Sequence, residues 1–211
     1  MKLALFKRRV LNAGALWISY VKLLPWLFRL NKNSIAIDGG ANTGYISSYL
    51  SITGATIYAF EPDPIAFAVL VERCGRKKNI ECINKGIWDK NATIKLYRHR
   101  AMAGERAFTV SSSLIREKSN VNDSAAIDIQ VVDLIRFIQT LNKKIDLVKL
   151  DIEGAEIEIL KKILATNSHT LFKTMHIESH ETKIPGQKEE LEKIKMELKR
   201  KGITNIKLNW I

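Results

Sequence analysis

Between Ile35 and Leu50 the chain runs IAIDGGANTGYISSYL, and few folds accommodate that order of residues. An apolar run the length of one strand ends in Asp38, a turn of small residues follows, and a helical pattern starts near Thr43. Glycines in such a turn let a ligand approach the backbone, and the start of the next helix offers N–H groups without an intrahelical partner. The spacing is D-x-G-x-N-x-G, with Gly40 and Gly44 in place and Asn42 where a middle glycine often stands. Asn is a non-glycine residue that tolerates positive φ, so the turn can still close. The pattern is not the dinucleotide-binding G-x-G-x-x-G.

The rest of the chain repeats this strand-then-helix order. Ser34–Asp38, Thr56–Phe60, Ile80–Asn84, Asp146–Asp151 and Phe172–Glu178 read as strands, and a last alternating run covers Ile203–Trp210. Thr43–Thr53, Pro64–Cys74, Asp133–Leu141, Ala155–Leu164 and Lys188–Lys201 read as helices, the last closed by Gly202. Thr93–Tyr97 and Ile127–Val132 alternate polar and apolar residues and are expected as antiparallel additions between the halves. The order predicts a single α/β domain over 34–211, a doubly wound and mostly parallel sheet with helices on both faces, behind a helical extension over 1–33. At 211 residues, 46% hydrophobic, the chain is large enough to bury a continuous core. Its two cysteines, Cys74 and Cys82, lack metal-type spacing and are expected as reduced thiols; no metal is expected.

In an open α/β sheet, ligands bind outside the carboxyl ends of the strands. Three acidic residues fall at such ends. Asp38 ends the first strand, Glu61 in YAFEPDP ends the second, 23 residues later, and Asp151 in VKLDIEGAE ends the fourth major strand. An acid at the offset of Glu61 accepts hydrogen bonds from a ribose diol. No P-loop lysine follows the glycine turn, so a ribose-bearing ligand without a polyphosphate fits better than a nucleoside triphosphate. S-adenosylmethionine is such a ligand.

DGGANTG, FEPDP, SSSL and VKLDIEGAE, in that order, resemble the FkbM family of S-adenosylmethionine-dependent methyltransferases over about Ile35 to Glu178. The resemblance implies the Rossmann-like fold of class I methyltransferases. It implies that Asp38, Gly40, Ala41, Asn42 and Gly44 hold the methionine part of S-adenosylmethionine, and that Glu61 binds its ribose. It further implies O-methylation of a hydroxyl on a sugar, a glycan or glycolipid, or a small metabolite. Methyltransferases of this class close their sheet with two strands after the fifth, whereas one clear strand remains here, leaving the extension or an oligomer to complete the acceptor side. A hydroxyl acceptor profits from a general base. Asp151 and the HIESH segment, with Glu178 and His180, are the candidates at the carboxyl edge; His176 shares their strand parity. Asp151 and Glu178 on neighbouring strands could form a carboxylate pair with one raised pKa. Arg98–Asn120, with His99, Arg100, Arg106 and Arg116, is the expected acceptor-facing lid.

The net charge is +12, and Lys2, Lys7, Arg8, Arg9, Lys22, Arg29 and Lys32 all precede Asp38, with no acidic residue among them. The excess positive charge is thus concentrated in the extension, which argues against a nucleic-acid partner reading the crevice. Leu3, Phe6, Val10, Trp17, Val21 and Leu24 recur at helical spacing, with Ala13 and Tyr20 on the same stripe, and Pro25 is expected to end that helix or open a second one. The longest charge-free stretch of the extension, Val10 to Val21, is 12 residues, too short to span a bilayer. Two roles stay open for residues 1–30: packing on the domain, or lying on an anionic membrane. A cleaved signal lacks a convincing small-x-small site. A cytoplasmic protein, with peripheral contact at the inner membrane face under the second role, is the expectation.

Overall fold

A computed structural model describes residue 18 and residues 20–97, 126–179 and 184–208. A helix, α1, covers residues 20–29. It is followed by β1 (Ile35–Gly39), α2 (Tyr45–Leu50), β2 (Thr56–Phe60), α3 (Pro64–Cys74), β3 (Ile80–Ile83), β4 (Gly86–Trp88), β5 (Ala92–Leu96), β6 (Ile127–Asp133) and α4 (Leu134–Thr140). The chain continues through β7 (Ile145–Leu150), α5 (Glu156–Thr166), β8 (Phe172–Ile177), α6 (Gln187–Arg200) and β9 (Ile206–Lys207).

The central sheet has six strands in the order β3-β2-β1-β7-β8-β9, and every pairing in it is parallel. This is the expected α/β architecture. β5 and β6 pair antiparallel, as their alternation suggested, but together with β4 they form a separate three-stranded sheet. The last strand is shorter than expected, two residues at Ile206–Lys207, and it pairs parallel to β8.

Alternating side chains divide the core into two layers. Ile35, Ile37, Phe60, Val148 and Leu150 face α4, α5 and α6. Ala36, Ile57, Ala59 and Leu147 face the other way, where Leu23, Trp26 and Leu30 of the α1 segment join Ile46, Leu50, Leu70 and Cys74. Residues 20–30 therefore pack on the domain. Pro25 does not break α1, which continues from 20 to 29. The ring removes the amide that would bond the Val21 carbonyl, but Pro25 is exposed, so water can satisfy that carbonyl.

The order of strands reverses direction between β1 and β7: β2 and β3 extend to one side of β1, and β7, β8 and β9 to the other. A crevice opens at such a switch point, outside the carboxyl ends of the two strands.

Candidate active site at the carboxyl edge of the sheet

The turn after β1 is built against the end of β7. Gly40 adopts φ 70, and a Cβ there would lie 1.8 Å from the Asp151 carbonyl oxygen. Only glycine meets both conditions. Asn42 takes φ 50, the left-handed conformation its residue type tolerates. The Ala41 amide donates to the Phe60 carbonyl at 2.9 Å and the Asp151 amide to the Gly39 carbonyl at 3.1 Å, so the turn is fastened to both neighbouring strands. Gly44, at φ 80, rests on Leu70 and Cys74. Burial pushes the Cys74 thiol up to about 11, with the neighbouring Cys82 adding to it, and both cysteines are free. From α3, the Arg73 Nε donates to the Thr43 carbonyl at 2.7 Å while its guanidinium stacks 3.6 Å from the Tyr45 ring centre.

Glu61 sits at the end of β2, 7% exposed. Its Oε2 accepts from the Asn42 amide and its Oε1 from the Asp63 amide, both at 2.8 Å. Burial pushes the carboxyl up to about 7; the two amide bonds and Lys149 pull the other way, and Asp63 adds to the rise. One amide per oxygen leaves acceptor capacity on both.

Asp38 is fully buried. Its side chain turns under the turn, toward α2: Oδ2 accepts from the Ser47 hydroxyl at 2.6 Å and Oδ1 lies 3.1 Å from Lys149 Nζ. In register, Asp38 of β1 stands beside Lys149 of β7, which stands beside His176 of β8. The Lys149 ammonium donates to the carbonyls of Gly40 at 3.1 Å and Gly39 at 3.3 Å, and lies 3.8 Å from an Asp151 oxygen. Its burial works against the charge, but Asp38, Asp151 and Glu178 together outweigh it and hold the lysine above its ordinary pKa. Lys149 is the site residue that the strand-end reading missed. A lysine inside the otherwise apolar run IDLVKL is the signal that marks it.

Asp151 follows β7 with a third of its side chain exposed, and Glu178 follows β8, its amide donating to the Leu150 carbonyl at 2.9 Å. The two expected partners are thus brought to one place, with Lys149 in the field of both. His176 lies beneath Trp26 of α1, edge to face at 5.9 Å between ring centres. Burial, with Lys207 and Lys22 adding to it, lowers its pKa to about 4 and keeps the imidazole neutral at pH 7. His180, the SSSL element and the Arg98–Asn120 segment lie outside the described residues.

Past Asp151 the backbone makes a tight turn, with Glu153 at φ 58 and Gly154 at φ 120. Glu156 holds it: Oε1 accepts from the Ile152 amide at 3.0 Å and Oε2 from the Gly154 amide at 2.8 Å. Gln187, at the start of α6, donates to the Gly154 carbonyl at 2.8 Å. The third acid of DIEGAE, Glu156, is therefore a buried structural acceptor. Among the described residues, no cluster of His, Cys, Asp and Glu is arranged as metal ligands would be.

The chain is 25% identical over 166 residues to "Methyltransferase sdnD" of Sordaria araneosa, a match covering 64% of this chain and 62% of that protein. Residues 38–203, from the acid that ends β1 to the segment before β9, match the Methyltransferase FkbM domain, and the chain belongs to that family.

Proposed function

We propose that this protein is an S-adenosylmethionine-dependent methyltransferase acting on a hydroxyl of a sugar, a glycan or glycolipid, or a small metabolite. The observation that carries the reading is the buried Glu61 carboxylate at the end of β2, beside the Gly40–Asn42 turn and across from Asp151. Its spare acceptor sites suit the two hydroxyls of a ribose. Gly40, Ala41, Asn42 and Gly44 shape the backbone on which the methionine part would rest, and Asp38, through Lys149 and Ser47, keeps that backbone in place. When bound, S-adenosylmethionine supplies a methyl group on a sulfonium, open to attack by an oxygen nucleophile.

The chain's own contribution is position and a proton acceptor. Asp151 is partly exposed at the mouth of the crevice and takes the proton of the acceptor hydroxyl in this reading, with Glu178 and His180 as the alternatives at the same edge. Lys149 holds Asp151 from behind.

Isothermal titration of S-adenosylmethionine into the full-length chain tests the donor half. Binding that is lost in Glu61→Ala, in a variant that circular dichroism shows still folded, is the expected result. No binding by the folded wild-type chain would overturn the reading. Labelled donor offered with glycan, lipid and RNA pools tests the acceptor half, and label entering RNA alone would overturn the glycan, glycolipid or metabolite assignment.

A further inference from the structure

The α1 helix is apolar on two opposite faces. At about 100° per residue, Leu23, Trp26 and Leu30 fall on one side, and this side is buried against the sheet. Ile18, Val21, Leu24 and Phe28 fall on the other, within an arc of about 120°. They are 45%, 54%, 49% and 84% exposed. A helix that only packed on the domain would carry polar residues there. Of the stripe found in the sequence, the described residues Val21 and Leu24 lie on this exposed side and not on the buried one.

Charge says what the exposed side would meet. Lys22 and Arg29 are exposed beside it and Lys32 lies just past the helix, while no acidic residue occurs before Asp38. Exposed aliphatic and aromatic side chains flanked by cations suit an interface that is apolar inside and anionic at its surface. A protein partner with an acidic rim offers the charge, but a bilayer offers both along the whole exposed face from Ile18 to Phe28. No described helix is long and apolar enough to cross a membrane.

We infer that α1 docks the protein on an anionic lipid bilayer, with Val21, Leu24 and Phe28 entering the headgroup–acyl boundary and Lys22, Arg29 and Lys32 at the phosphates. The Leu23–Trp26–Leu30 face simultaneously clamps the domain to the helix. The inference is independent of the methyl-transfer reading.

Sedimentation of the full chain with vesicles tests it, comparing phosphatidylcholine alone with phosphatidylcholine containing about one third phosphatidylserine. Wild-type protein is expected to pellet with the anionic vesicles only, and to be released as salt is raised. Val21→Ser, Leu24→Ser and Phe28→Ser together should lower the partition coefficient at least about tenfold, with the urea midpoint unchanged. Should the triple variant fold poorly, Phe28→Ser alone changes the most exposed position and should lower it about threefold. Wild-type protein left in the supernatant overturns the inference, and so does a variant that binds as wild type. Sedimentation velocity supplies the remaining outcome: a dimer that the triple variant dissolves, with no vesicle binding, assigns the face to a second copy and overturns the membrane.

Discussion

Burial raises the Glu61 carboxyl to about 7 although two backbone amides donate to it. A hydroxyl donor favours the ionised form, so under the proposed function ribose binding and proton binding would compete at this side chain. Affinity for S-adenosylmethionine should therefore rise between about pH 6 and about pH 8 and flatten in Glu61→Gln, as titration calorimetry across that range would show. The sign for stability is the reverse of the usual acid. The folded state keeps the proton longer than the unfolded chain does, so this residue's contribution declines as pH rises from the ordinary carboxylate range to about 7. Lys149 offers a second test. Lys149→Met leaves the Asp38 carboxylate buried without its cation and should cost about 3–5 kcal/mol in urea melts, while adding Asp38→Asn should restore much of the loss. The acids at the strand ends were legible because position in an α/β sheet assigns them. Lys149 was not, because a single buried cation has no pattern and acquires meaning only when β1 and β7 lie side by side.

Elements with chemical punctuation were read well. The helix expected over Pro64–Cys74 occurs there, since Asp63 caps it through the Ile65 amide at 2.8 Å, Pro64 opens it and Gly75 follows it. β4 went unread: three residues at Gly86–Trp88 carry no period, and their pairing with β6 is set by contacts more than forty residues away. Pro25 was read as a break because propensity speaks for an interior helix, and here the missing hydrogen bond falls on the wet side. The turn after β7 was legible as a glycine turn, but the division of labour in DIEGAE was not. Asp151 stays partly exposed beside Lys149, while Glu156 satisfies the Ile152 and Gly154 amides. Glu156→Ala strands both amides and should destabilise the chain by about 2–4 kcal/mol, whereas Glu156→Gln, which keeps one strong acceptor, should lose about half of that by the same urea measurement.

Across the whole molecule, the parallel order β3-β2-β1-β7-β8-β9 and the position of the switch point follow from the right-handed strand–helix–strand units that the sequence repeats. What the periodicity could not decide was the relation of the basic N-terminal segment to the domain, because a helix apolar all round satisfies a packing reading and a surface reading at once. The packing reading holds for the Leu23–Trp26–Leu30 face, and the opposite, exposed face is the one inferred above to meet a bilayer. The buried face has a consequence for where the domain can be cut. Leu23, Trp26 and Leu30 are each at most 7% exposed and cover Ala36, Leu147 and their neighbours on the sheet. Burying two aliphatic side chains and one indole contributes about 5–8 kcal/mol together, comparable to the about 5–15 kcal/mol that holds an ordinary domain folded. A chain that starts at residue 34 should consequently be insoluble or lack a cooperative urea transition. A chain that starts at residue 18 keeps all three side chains and should unfold within about 1 kcal/mol of the full length. Circular dichroism of the two truncations against urea separates the outcomes. A stable, cooperative domain from residue 34 onward would mean that the α1 face contributes little to the fold.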